Sequence, residues 1–182
     1  MKRLIVSTLA VATMTLAAPA AYAATFPVGG TNFTATPGPQ GTFAGAFFNT
    51  GIAAGTFSDT FTLTLPTNGF GSGTVTTSTT VLGSPNDLDF TSVLVNGVAA
   101  GINRTGDGAF EVAFTNNIPV VAGVLNTIVV NGVSRGGGAY GGQASFVAAI
   151  PEATTWAMML VGFGMIGAAT RYRRRTTNVR FA

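Results

Sequence analysis

The 182-residue chain contains no cysteine and no histidine, and only 8% of its residues are charged. Without cysteine there are no disulfides, no thiolate metal sites and no cysteine nucleophile. Without histidine the chain lacks the commonest general base and the usual transition-metal ligand, which excludes most hydrolase templates. The formal net charge of +3 would suit a nucleic-acid binder, but the charges are in the wrong places. Lys2, Arg3, Arg171, Arg173, Arg174, Arg175 and Arg180 all stand at the two ends. From residue 24 to 150 the only basic residues are Arg104 and Arg135, against Asp59, Asp87, Asp89, Asp107 and Glu111. The middle of the chain is therefore mildly acidic, and nucleic acid is not expected as a partner.

What is present begins at the ends. Lys2 and Arg3 precede an apolar segment from Leu4 to Ala18, and Ala21-Tyr22-Ala23 gives the small-x-small pattern before a cut at Ala24. That is the form of a cleavable secretory signal over residues 1–23, read by the Sec export machinery. At the other end, residues 151–175 read PEATTWAMMLVGFGMIGAATRYRRR. As a helix, 153–170 would run about 27 Å against a hydrocarbon core of about 30 Å, so one transmembrane helix is predicted there. Arginines collect on the cytoplasmic side of a membrane, which predicts a cytoplasmic tail over 176–182 and an exported domain before Pro151. Gly162, Gly164 and Gly167 spell GxGxxG, but inside an apolar run this reads as a surface for close helix approach, not as a dinucleotide loop.

Residues 24–149 are rich in Gly, Thr, Ser, Asn, Val and Phe, with few helix formers, and predict one exported all-β domain. Its clearest strand is 56–65, where Phe57, Asp59, Phe61, Leu63 and Leu65 alternate with Ser58, Thr60, Thr62 and Thr64. Asp59 falls on the apolar side and needs a partner there, with backbone amides, Arg104 or Arg135 as candidates. A glycine-rich turn is expected at 66–73 and further strands at 74–82, 88–95, 109–115, 124–130 and 143–148. In 109–115 the alternation places Phe110, Val112 and Phe114 inward and Glu111 outward. Asn96-Gly97 and Asn131-Gly132 are hairpin signals. The sum is an antiparallel β-sandwich of jelly-roll or Ig-like outline.

Chemical motifs are sparse. Gly132-Val133-Ser134-Arg135-Gly136 has the form GxSxG, but the serine has no histidine to act as its base. Asp87 and Asp89 could offer oxygens to calcium or simply cap a turn. No catalytic residue, cofactor or metal site is expected.

Two resemblances are carried by these residues. Pro151, Glu152, Trp156, Ala157 and Met158, the spaced Gly162, Gly164 and Gly167, and the clamp of Arg171, Arg173, Arg174 and Arg175 resemble the PEP-CTERM sorting signal of Gram-negative bacteria, in its PEPxxWA form. The family's second proline is Ala153 here. The resemblance implies an exosortase-like enzyme that cuts near residues 151–153 and passes the protein to the cell surface. Phe57, Asp59 and Phe61, followed by Leu88 to Val93, Asn96-Gly97 and Gly138 to Gly142, are similar to the FxDxF family of PEP-CTERM proteins.

The expected function is that of a non-enzymatic surface or extracellular-matrix protein, associated with biofilm or exopolysaccharide. It would be held at the membrane by its C-terminal helix and then processed. The alternative is a carbohydrate- or ice-binding module. An exposed row of aromatics on a sheet face would mark the first, and a flat threonine face the second.

Overall fold

Aromatic and β-branched residues alternating with threonine and serine favour extended chain that pairs and buries one face. The computed structural model describes residues 22–149 and 152–174. Its strands are β1 (Tyr22–Pro27), β2 (Phe33–Pro37), β3 (Phe43–Ile52), β4 (Gly55–Thr64), β5 (Gly69–Ser78), β6 (Leu88–Val95), β7 (Val98–Ala99), β8 (Gly101–Thr105), β9 (Phe110–Val120), β10 (Leu125–Ser134) and β11 (Gly138–Ala148). A helix, α1 (Glu152–Arg174), follows. One sheet runs β1-β4-β10-β6-β7 and the other β2-β3-β11-β5-β9-β8. Every pairing is antiparallel except β1 with β4, which is parallel.

The two sheets share one core. Phe57, Phe61, Phe90 and Val130 come from the first, and Phe33, Phe47, Val75 and Tyr140 from the second. Phe61 sits at its centre, stacked on Phe26 at 5.1 Å, tilted against Phe47 at 4.8 Å and edge-on to Phe33 at 5.7 Å. Offset and edge-on ring pairs of this kind each add about 0.5–1.5 kcal/mol beyond their area burial. The β-sandwich is as the alternation predicts, and the proline- and glycine-rich opening supplies the edge strands β1 and β2.

Several local expectations are corrected. In β9 the alternation runs the other way: Glu111 and Ala113 are buried while Phe110 and Phe114 are exposed. The inner face is already filled by large rings and has room for an alanine, and Glu111 finds hydrogen-bond donors inside. Residues 69–73 are strand and not turn, because glycines there sit against core groups. A Cβ on Gly69 would come within 2.6 Å of the Phe146 ring. Asn131-Gly132 lies in the middle of β10, where a Cβ on Gly132 would meet the Phe57 ring at 2.6 Å and the Asp89 carbonyl at 2.5 Å. Asn96-Gly97 does turn the chain, with φ of 50° and 80°, between Val95 and its partner Val98. In β6 a bulge between the pairs Asn131↔Ser92 and Gly132↔Phe90 shifts the alternation, so Val93 and not Ser92 turns inward.

At the ends, Ala21 and residues before it lie outside the described residues, as do Pro151, Arg175 and the tail 176–182. Tyr22 and Ala23, the first described residues, belong to β1, which runs across the expected boundary at 24. Among the described residues no helix is long and apolar enough to cross a membrane, which corrects the span expected over 153–170. The uninterrupted apolar run of α1 is only Trp156 to Ala169, about 21 Å at 1.5 Å per residue, with threonines before it and Thr170-Arg171 after it.

Candidate functional site

The C-terminal segment leaves the sandwich immediately after β11. In α1, Trp156, Met158, Leu160, Phe163, Met165 and Ile166 are all exposed, around the whole circumference of the helix. A soluble helix hides one apolar stripe; this one hides none. Gly162, Gly164 and Gly167 are helical, with nothing within 4 Å of where a Cβ would stand, so they form no phosphate loop. Thr170 returns its hydroxyl proton to the carbonyls of Ile166 and Gly167, at 3.1 and 2.9 Å, and closes the apolar run before Arg171. Glu152, Trp156, Ala157, Met158, Arg171, Arg173 and Arg174 are thus strung along one helix, in the order apolar run then arginine clamp.

The FxDxF residues have a different role. Phe57, Asp59 and Phe61 all project from β4 into the core. Asp59 Oδ2 accepts hydrogen bonds from the Tyr140 hydroxyl at 2.7 Å and from Asn49 Nδ2 at 2.8 Å. Both donors belong to the opposite sheet, so the expected partners Arg104 and Arg135 are replaced by neutral ones. Burial, and then the hydrogen bond to Asp59 and its negative charge, push the Tyr140 hydroxyl far above the ordinary tyrosine value. Phe57 stacks on the Tyr140 ring at 5.8 Å. Nothing in the sequence periodicity pointed to Tyr140 or Asn49; the signals were that a buried Asp59 must be paired and that the FxDxF resemblance sets residues 138–142 beside Phe57, Asp59 and Phe61.

Three more acids, Glu111, Asp87 and Asp89, are engaged with arginines. Glu111, fully buried on β9, accepts from the Phe90 amide at 2.7 Å and from Arg104 Nε at 2.6 Å, while Arg104 also donates to the Phe90 carbonyl. Arg135 spans Asp87 at 2.9 Å and Asp89 at 2.8 Å. A guanidinium therefore stands where calcium was considered, and among the described residues no cluster of three or more acidic ligands could hold a metal ion. Ser134 donates to the Ile52 carbonyl at 2.7 Å and accepts from the amides of Gly136 and Gly138. Its hydroxyl is buried and staples the turn between β10 and β11, which is no position for a nucleophile.

A family model described as the PEP-CTERM protein-sorting motif matches residues 149–175. The chain carries a PEP-CTERM protein-sorting motif. No curated protein matches the chain. The match starts one residue beyond the end of β11 and takes in the whole of α1, so the sorting motif and the sandwich are adjacent and do not overlap. A PEP-CTERM motif implies export, anchoring at the membrane and processing by an exosortase-like enzyme, followed by release to the surface.

Proposed function

We propose that the chain is a non-enzymatic surface or extracellular-matrix protein whose sandwich is the cargo and whose residues 149–175 are the address. It reaches the Sec machinery through a leader over 1–23 cut between Ala23 and Ala24. The apolar surface of α1 then holds it at the membrane until an exosortase-like enzyme cuts near Pro151 and Glu152. The released domain takes a structural or adhesive place in a polysaccharide-rich envelope or biofilm. FxDxF membership would make Phe57, Asp59 and Phe61 a fold signature and not a site.

The observation that carries this reading is the sorting motif placed directly after the last strand. It is supported by the engagement of Asp59, Asp87, Asp89 and Glu111 in hydrogen bonds and ion pairs, which leaves them poorly placed for acid–base work.

Mass spectrometry of the surface form, from cells with and without the sorting enzyme, tests the proposal. The expected product begins at Ala24 and ends near Pro151 only when the enzyme is present. A surface form that still contains Trp156 to Ala182 would replace processing with permanent retention.

A further inference from the structure

The outer face of the six-stranded sheet has a composition that sets it apart from an ordinary solvated surface. Solvent-facing sheet surfaces usually carry charged residues, which keep them soluble and discourage edge pairing. The six strands here contain two charged residues, Arg104 and Glu111, and both turn to the other side, where they bond Phe90 of the opposite sheet. Outward positions are filled by threonine, serine, alanine, valine, amides and phenylalanine.

Strand register arranges these residues in rows. Thr34 lies opposite Ala46, Ala46 opposite Gln143, Gln143 opposite Thr74, Thr74 opposite Phe114 and Phe114 opposite Gly101. This row crosses all six strands, and from Thr34 to Phe114 it covers about 19 Å at the usual strand spacing. The neighbouring row is Thr36, Ala44, Ser145 and Ser72. Together they floor a shallow depression with a volume of about 720 Å³, walled at one end by Phe114 and Asn116. Phe114 is 50% exposed, yet its ring is seated over Gly101, where an added Cβ would come within 3.4 Å of it. Phe48, Phe70 and Phe110 are also exposed on this side. Among the described residues Gln143, Thr34, Thr36 and Thr74 have no side-chain hydrogen-bond partner in the chain, so their donors and acceptors are open to a ligand.

We infer that this depression binds a neutral polysaccharide chain. A sugar ring offers an apolar C–H face that packs on an aromatic ring and a rim of hydroxyls that both donate and accept, which is what carboxamides and threonine hydroxyls match. The lack of charge across the face disfavours anionic glycans, phosphates and basic peptides, for which desolvated ionic partners would be required. Protruding rings break the flatness that ordered water on an ice surface would need. Concavity, a seated aromatic and open polar groups are the usual features of a small-molecule groove. The inference deepens the proposed association with exopolysaccharide and rests on that part of it, but not on C-terminal processing.

Co-sedimentation of the full-length chain in detergent micelles with insoluble neutral glucans (cellulose and starch) and with alginate beads is the test. Binding to a neutral glucan, unchanged between low and high salt, is expected. Phe114→Ala and Gln143→Ala should each weaken it by about tenfold, the value of one stacking contact or one well-placed pair of hydrogen bonds. Thr91→Ala, exposed on the other sheet, should leave it unchanged. Because Gln143 is exposed and unbonded, its variant separates loss of binding from loss of fold. No sedimentation with either glucan, or salt-sensitive binding to alginate alone, overturns the inference. So does a dimer by analytical ultracentrifugation that Phe114→Ala dissolves, since a second copy would then be the occupant. Each of these failures leaves the mass-spectrometric result on the C-terminus unaffected.

Discussion

The Tyr140 hydroxyl donates a 2.7 Å hydrogen bond across the interior to Asp59 Oδ2. Asp59 stands on β4 of one sheet and Tyr140 on β11 of the other, so this bond and the 2.8 Å bond from Asn49 clamp the sandwich through its middle. A carboxylate in such a place is tolerated only while its donors remain.

Tyr140→Phe keeps the stack on Phe57 and removes the donor. Asp59 is then left with Asn49, and a loss of about 1–3 kcal/mol is expected. Urea unfolding measures it as a lower midpoint with an unchanged slope. A midpoint equal to the parent's would show that the clamp adds nothing to stability.

Burial of the Tyr140 hydroxyl, together with its bond to Asp59, makes stability depend on alkaline pH. Unfolded tyrosine releases its proton near pH 10, whereas the native hydroxyl holds its proton well beyond that. Above about pH 10 the unfolded state therefore binds fewer protons than the native state, and stability falls by about 1.4 kcal/mol per pH unit. Below that pH the contribution is fully present. Unfolding free energies of the parent and of Tyr140→Phe, compared from pH 8 to 11, should converge as the pH rises.

Glu111→Ala strands the Phe90 amide and leaves Arg104 beside an empty site. About 3–5 kcal/mol is the expected loss for breaking one side of a buried pair, reduced to the extent that Arg104 is half exposed. Guanidinium denaturation reads this directly, and Glu111→Gln, which retains an acceptor for the amide, should lose less.

Two adjacent glycines on β11 should respond in opposite ways. A Cβ on Gly142 would overlap the Phe47 ring, while one on Gly141 meets nothing closer than the Phe47 carbonyl at 4.0 Å. Gly142→Ala should destabilise by about 1–3 kcal/mol or more through overpacking. Gly141→Ala should stay within about 0.5 kcal/mol of the parent. Thermal melts of the two variants side by side decide it.

Calcium should not raise the melting temperature of the parent, because Arg135 already bridges Asp87 and Asp89 and occupies the space between them. Differential scanning calorimetry with millimolar calcium and with a chelator checks this. A rise with calcium would mean that the guanidinium gives way to the ion.

The alternation Phe57, Asp59, Phe61 told which side of β4 is buried, and composition told that the domain is built of sheets. Cross-sheet partners were not legible: Tyr140 is 81 positions from Asp59, and only the folded topology brings them together. The phase of β9 failed for an energetic reason. Reading rings as inward is sound on average, but here the interior was full of rings from other strands and Glu111 found two hydrogen bonds, from the Phe90 amide and from Arg104. Asn131-Gly132 failed because a glycine was needed beneath Phe57, a demand that local turn statistics do not contain. The sorting motif was legible because its order of proline, aromatic, apolar run and arginines is a linear signal. Its length as a membrane span was over-read, since threonines and the first arginine shorten the apolar run at both ends.

β11 lies inside its sheet, between β3 and β5, and is also the strand from which the sorting segment departs. A domain tethered by that segment would receive any pull from flowing medium along this strand. Its flanking ladders would be loaded in shear, many rungs at once, and could not be unzipped one rung at a time from an edge. Attachment through a central strand thus favours a module that resists tearing over one that opens under tension.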